Sequence, residues 1–127
     1  MQHDPGSPTS WLRFARSDLA VARQKPGAEV LPETLCFHAQ QATEKTIKAV
    51  LVHVGVPVPK THNIERLVDL LPCSIERVPL LIQATLLSDY AVIFRYPSDE
   101  EPITEEDLAK AIGTAELVVG WAEKMVA

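Results

Sequence analysis

The apolar residues of this chain recur three and four places apart, in blocks set off by prolines, and that period belongs to helices rather than strands. The clearest block is the last. Leu108, Ala111, Ile112, Ala115, Val118, Val119, Ala122 and Val126 line one face, and Thr104 followed three residues later by Asp107 is a variant of the capping box that opens such a helix. In the first block Trp11, Leu12, Ala15, Leu19 and Ala22 share a face from Ser10 onward, until Pro26-Gly27 stops it. The second runs from Pro32, a residue favoured in a first helical turn, to Gly55, a natural C-terminal cap. Within it Cys36, Ala39, Thr43, Ile47, Val50 and Val54 repeat at spacings of 3, 4, 4, 3 and 4, a core-facing stripe. Pro57 and Pro59 precede a short helix over 63–71, with Ile64, Leu67, Val68 and Leu71 on its apolar side. The fourth block, 80–94, has Leu80, Ala84, Leu87, Ala91 and Phe94 on one side and Ile82, Leu86 and Ile93 on another. A helix apolar on two sides in a small domain is central or belongs to a subunit interface, so Ile82, Leu86 and Ile93 are candidates for a dimer seam. No run of alternating β-branched residues interrupts this pattern. It predicts an all-α fold: an up-and-down bundle of four main helices plus one short helix.

A chain of 127 residues and 14.0 kDa has room for one domain, read here as 9–127 after a loose tail, 1–8, that carries Pro5, Gly6, Ser7 and Pro8. Twelve Lys and Arg against seventeen Asp and Glu leave a net charge of −5, which argues against holding duplex DNA by bulk charge and leaves a local basic groove open. No apolar run approaches the ~18 residues of a membrane span. The opening Met1-Gln2-His3-Asp4-Pro5 lacks the basic and apolar regions of a secretory signal. Cys36 and Cys73 fall at no metal-ligand spacing. These features predict a reduced, cytoplasmic protein. There is no glycine-rich phosphate loop, His-Glu-x-x-His, paired-cysteine knuckle or Gly-x-Ser-x-Gly elbow, so neither metal nor cofactor is expected.

Polar residues carry the remaining signals. Asp18 breaks the apolar face of the first helix. It is either a boundary carboxylate reaching water or a cap, or a partly buried one paired with a cation of a neighbouring helix. His38, Gln41, Lys45 and Lys48 stand 3, 4 and 3 residues apart and so stack along one line of the second helix. An imidazole, an amide and two ammonium groups in register suit a phosphate or a nucleic-acid backbone. The plainer alternative is a solvated face in which Glu44 and Lys48 form an i, i+4 pair. His53, on the apolar half of that helix, reads as a satisfied core histidine. His38 and His62 would ligate a metal only with a third donor that the spacing does not supply. In Phe94-Arg95-Tyr96-Pro97 the arginine offers a bidentate fork beside a ring that can stack, or it caps its helix.

Several of these segments together resemble a known family. They are Trp11-Leu12-Arg13 with Asp18-Leu19, the block from Cys36 to Lys45 that contains Phe37-His38-Ala39-Gln40-Gln41-Ala42, then Lys60-Thr61-His62-Asn63-Ile64, Tyr90 to Pro97, and Ile103 to Asp107. In this order and spacing they are similar to the HEPN domain (higher eukaryote and prokaryote nucleotide-binding), from Trp11 to about Trp121. The resemblance implies a helical bundle that forms a homodimer or a higher homo-oligomer. It also implies pairing with a small nucleotidyltransferase, as in toxin–antitoxin systems, and a nucleotide or RNA ligand.

Many HEPN proteins are metal-independent ribonucleases that use an arginine and a histidine separated by four to six residues. Arg95 occupies the matching place, but positions 100 to 102 hold Glu100, Glu101 and Pro102, and no other arginine here has a histidine at that distance. The expectation is therefore a non-catalytic binding and partner module, with no catalytic residues. Its nucleotide- or RNA-binding candidates are His38, Gln41, Lys45, Lys60, His62, Arg95 and Tyr96, with Asp18 supporting a cation. The alternative is a divergent ribonuclease in which His38 or His62 replaces the missing acid. A third reading makes the same polar residues interhelix hydrogen bonds and nothing more.

Overall fold

The computed structural model describes residues 6–88, 90 and 102–126. Within them the chain forms α1 (Pro8–Ala22), α2 (Pro32–His53), α3 (Ile64–Asp69), α4 (Pro79–Thr85), a 3-10 turn (Leu86–Ser88) and α5 (Glu105–Val126), with no strand among the described residues. The all-α bundle expected from the apolar periodicity is the fold observed.

Local chemistry sets the helix ends. The α1 helix begins at Pro8, two residues before the expected start, because the Ser7 hydroxyl accepts from the Ser10 N–H at 3.0 Å and proline tolerates a first helical position. Pro8 therefore belongs to the helix and not to the tail. The α2 helix closes as a Schellman motif: Val56 N–H donates to the Leu51 carbonyl at 2.9 Å, Gly55 N–H donates to Val52 at 3.1 Å, and Gly55 takes φ +80°. At α5 the capping box is complete. The Thr104 N–H donates to an Asp107 carboxylate oxygen at 3.1 Å and the Asp107 N–H to the Thr104 hydroxyl at 3.0 Å. These bonds to Thr104, backbone first, hold the Asp107 carboxyl below its ordinary value.

The central member is α2. It packs along α1 and α5 and also meets α3 and the 3-10 turn, so burial reaches nearly all round it, from Leu35 and Cys36 to Val50 and Leu51. Antiparallel to it, α1 sets Trp11 against Lys48 and Asp18 against His38. The α1 helix is also antiparallel to α5, where Arg16 meets Glu123 at 2.6 Å and Arg23 meets Glu116 at 2.7 Å. Both pairs are half exposed and hold orientation more than they stabilise. The expected apolar faces of α1, α3 and α5 line the core through Leu12, Ala15, Leu19, Ile64, Leu67, Leu108, Ala115 and Val118. Arg77 closes the loop after α3, donating to the carbonyls of Leu71, Pro72 and Ile75.

Three expectations need correction or restriction. The fourth helix was expected over 80–94; α4 runs to Thr85 and tightens into the 3-10 turn, Tyr90 is again helical, and 89 and 91–94 lie outside the described residues. The C-cap backbone of α4 still donates to Ala84 and Gln83, the closer hydrogen bonding of a 3-10 winding. Ala91, Ile93 and Phe94 lie outside the described residues. His53 is exposed, not a core histidine, because it is the last residue of α2, where the Schellman turn leads the chain away from the bundle.

Of the two cysteines, Cys36, on the core-facing side of α2, is fully buried and Cys73 is exposed. Burial, with the nearby charges of Asp107 and Glu33, pushes the Cys36 thiol up to about 12. An aromatic disulfide reagent should therefore titrate one thiol per chain in the native protein and both in denaturant.

Candidate functional site

The polar line of α2 faces the edge of α1 and the loop that leads into α3. Asp18 projects from α1 into this line: one carboxylate oxygen takes the Lys45 ammonium at 2.6 Å, the other His38 Nδ1 at 3.0 Å. Its side chain is 13% exposed. Of the two readings the sequence left open, pairing with a cation on a neighbouring helix is the one realised. The Phe37 ring stands edge-on to His38, with centroids 5.5 Å apart.

A second cluster lies further along the same helix. The Glu44 carboxylate, 3% exposed, takes Lys48 at 2.9 Å on one oxygen. Its other oxygen takes Gln40 Nε2 at 3.0 Å and His62 Nδ1 at 3.0 Å. Gln40 also donates weakly to the His62 carbonyl at 3.4 Å, and Gln41 Nε2 donates to Gln40 Oε1 at 2.8 Å. Lys48 lies 5.5 Å from the centre of the Trp11 ring of α1. Among the described residues no buried side-chain nitrogen or oxygen lacks a partner.

Each cluster thus has one architecture, a carboxylate holding a lysine and a histidine: Asp18 with Lys45 and His38, Glu44 with Lys48 and His62. Both lysines are committed to carboxylates, and with neutral imidazoles the two clusters carry no net charge. This corrects the solvated-face reading. Lys48 is buried and Lys45 half-buried, because α1 packs across the line instead of leaving it to water. The expected Glu44–Lys48 pair is present, but as a buried ion pair rather than a surface one.

Asp18, His38, Gln41, Lys45 and His62 come together along this strip. Lys60 is exposed two residues before His62 and makes no ion pair among the described residues. Arg95 and Tyr96 lie outside the described residues, as does Ile93, so the opposite wall expected from Arg95 and Tyr96 is not described. Gln40 and the buried role of Glu44 were missed in the sequence. The signal was their i, i+4 spacing on a helix that the apolar stripe already placed at the centre. Among the described residues no group of three His, Cys, Asp or Glu side chains is arranged to hold a metal. No described helix is long and apolar enough to cross a membrane.

Elsewhere a groove of about 560 Å³ runs between the 3-10 turn and α5. Leu86, Leu87, Tyr90, Ala111, Thr114 and Leu117 are among its lining residues, and it shares none with the α2 strip. At its border Leu86 is 70% and Leu117 58% exposed, and Ile82 nearby is 67% exposed.

The family model of the HEPN domain matches residues 9–125, nearly the whole chain. The chain belongs to the HEPN family. Two solved structures share its fold. TT1696 from Thermus thermophilus is 27% identical with a TM-score of 0.81, over 92% of this chain and 96% of that one. ST0689, an archaeal HEPN homologue, is 26% identical with a TM-score of 0.74, over 96% of this chain and 99% of that one. No curated protein matches. In this HEPN chain the strip on α2 is therefore built into the family's own bundle, on its most buried helix.

Breaking one cluster while leaving its partner buried carries a large penalty. Glu44→Ala should cost about 3 kcal/mol in denaturant unfolding, since it strands the Lys48 ammonium and the Gln40 amide. Replacing both Glu44 and Lys48 with leucine and methionine should recover most of that loss.

Proposed function

We propose that this HEPN protein is a non-catalytic nucleotide- or RNA-binding module that forms a homodimer and pairs with a nucleotidyltransferase protein, in the manner of a toxin–antitoxin couple. The observation that carries the binding reading is the ordered polar strip of α2. Asp18 and Glu44 hold His38 and His62 in fixed hydrogen bonds, with Gln41 between them, at a half-exposed edge of an otherwise apolar bundle. A polar network present only for stability would not need two imidazoles at the solvent edge, where His62 is 54% exposed. The absence of any arginine–histidine pair at the ribonuclease spacing supports the non-catalytic part.

Thermal denaturation tests the binding reading. A ligand of the native state raises the midpoint with its concentration, by several degrees at a hundred times Kd. Ribonucleotides or a short oligoribonucleotide should do this with the wild-type protein and fail with His38→Ala. No shift with any of them would leave the strip a structural network.

The dimer is supported by the exposed apolar Ile82 and Leu86 beside the groove on α5. Leu86→Asp should convert a dimer to a monomer in light scattering after size-exclusion chromatography, with helical circular dichroism unchanged.

A further inference from the structure

The direction of every hydrogen bond in the strip follows from its two carboxylates. Asp18 and Glu44 are each held by a lysine, so both are ionised and act only as acceptors. His38 Nδ1 must then donate to Asp18, and His62 Nδ1 to Glu44. A neutral imidazole that donates from Nδ1 has a lone pair on Nε2. Gln40 must likewise turn its amide N–H to Glu44, which leaves its carbonyl oxygen to accept from Gln41. Gln41 Oε1 is then a further acceptor. No described residue engages His38 Nε2, His62 Nε2 or Gln41 Oε1. The Nδ1–H of each histidine and one N–H of each lysine are spent inward on carboxylates, so the lysine charges are compensated and the neutral imidazoles are left with Nε2 as an acceptor.

The two lysines, the obvious phosphate binders, are neutralised at 2.6 and 2.9 Å. An anion approaching the strip would meet compensated charges and imidazole lone pairs. A ligand bearing hydroxyl donors would meet partners already oriented to accept them. Phe14 adds an apolar surface: it sits one turn before Asp18 on the same edge of α1 and is 56% exposed, an aromatic face on which a base can stack.

Resting on the nucleotide-binding reading above, we infer that the α2 strip selects ribonucleotides by their sugar hydroxyls, the 2′-hydroxyl donating to His38 Nε2, rather than by their phosphates. Sugar hydroxyls are common to all four bases, whereas base amino groups are not. The 2′-hydroxyl is also the group that separates a ribonucleotide from its deoxy counterpart. Asp18 is then a positioning residue. It holds the His38 tautomer and keeps Lys45 from attracting anions.

The test is equilibrium binding at pH 7.5 of AMP, GMP, CMP, UMP and a short oligoribonucleotide, each beside its 2′-deoxy counterpart, with inorganic phosphate as the charge-only probe. The wild-type protein should prefer at least one ribonucleotide or the oligoribonucleotide by about tenfold over the deoxy form, the worth of one hydrogen bond, and should not bind phosphate. His38→Phe should erase that preference. Asp18→Asn should also reduce it and, by releasing Lys45, raise affinity for phosphate, a gain that simple loss of structure would not produce. Binding of a mononucleotide points to a free nucleotide as ligand; binding of the oligonucleotide alone points to an RNA end. The wild-type comparison needs no substitution, so it decides the matter even if a variant fails to fold. Equal affinity for ribo and deoxy forms would overturn the inference and leave the nucleotide reading standing, as would phosphate binding as strong as that of the nucleotides. A ribo preference unchanged in His38→Phe would overturn the assignment to this strip. No binding of any probe would overturn the nucleotide reading and this inference with it.

Discussion

A buried carboxylate, Glu44, organises the polar half of this bundle. Removing a carboxylate from water costs several kcal/mol unless charge and hydrogen bonds replace the lost hydration. Here the replacement comes from Lys48, Gln40 and His62, each at 2.9 or 3.0 Å. Two of these lie one turn to either side on α2, and the third belongs to the loop before α3. The His62–Glu44 hydrogen bond therefore stitches the α2–α3 connection to the central helix, and Lys48, through Trp11, extends the contact to α1. The apolar core around it is generic: any large side chains of matching volume could fill it. The carboxylate admits only partners of the right charge in the right place.

Asp18 applies the same constraint from the opposite direction. It comes from α1, so its bonds to His38 and Lys45 fix the axial register of α1 against α2, where leucine and alanine contacts alone would tolerate sliding. The pairs from Arg16 and Arg23 to α5 repeat this at the surface with less energy. Register and the proposed binding chemistry thus rest on the same residues. The carboxylates that orient the histidines also join the helices that present them, a preorganisation that lowers the entropy cost of the proposed binding.

Much of the fold was legible in the chain. The period of three and four residues placed α1, α2, α3 and α5, and the Thr104–Asp107 spacing marked the start of α5. Those signals are local: a helix needs only its own apolar stripe and its own caps. The helical pattern over 80–94 is met by α4, the 3-10 turn and Tyr90, with 89 and 91–94 outside the described residues. The error arose where local signals stop: His53 sits on an apolar arc yet lies at a helix end that turns away from the core. For the site, the line of His38, Gln41, Lys45 and Lys48 was visible, but its environment was not. Whether that arc meets water or another helix depends on how α1 packs across it.

The sequence by itself determined the helical class, most element positions, membership of the HEPN family and the one helix with a polar line. Spacing along a chain is enough to specify which side chains share a face. Only the tertiary structure decided that Lys45 and Lys48 are neutralised, that His38 and His62 are each tied to a carboxylate, and that Gln40 joins Gln41 to Glu44. Adjacent Gln40 and Gln41 aside, these partners are 4 to 27 residues apart along the chain, and all but the i, i+4 bonds of Glu44 join different elements. Their meeting is a property of packing, and the charge and hydrogen-bonding character of the strip follow from that meeting rather than from residue type.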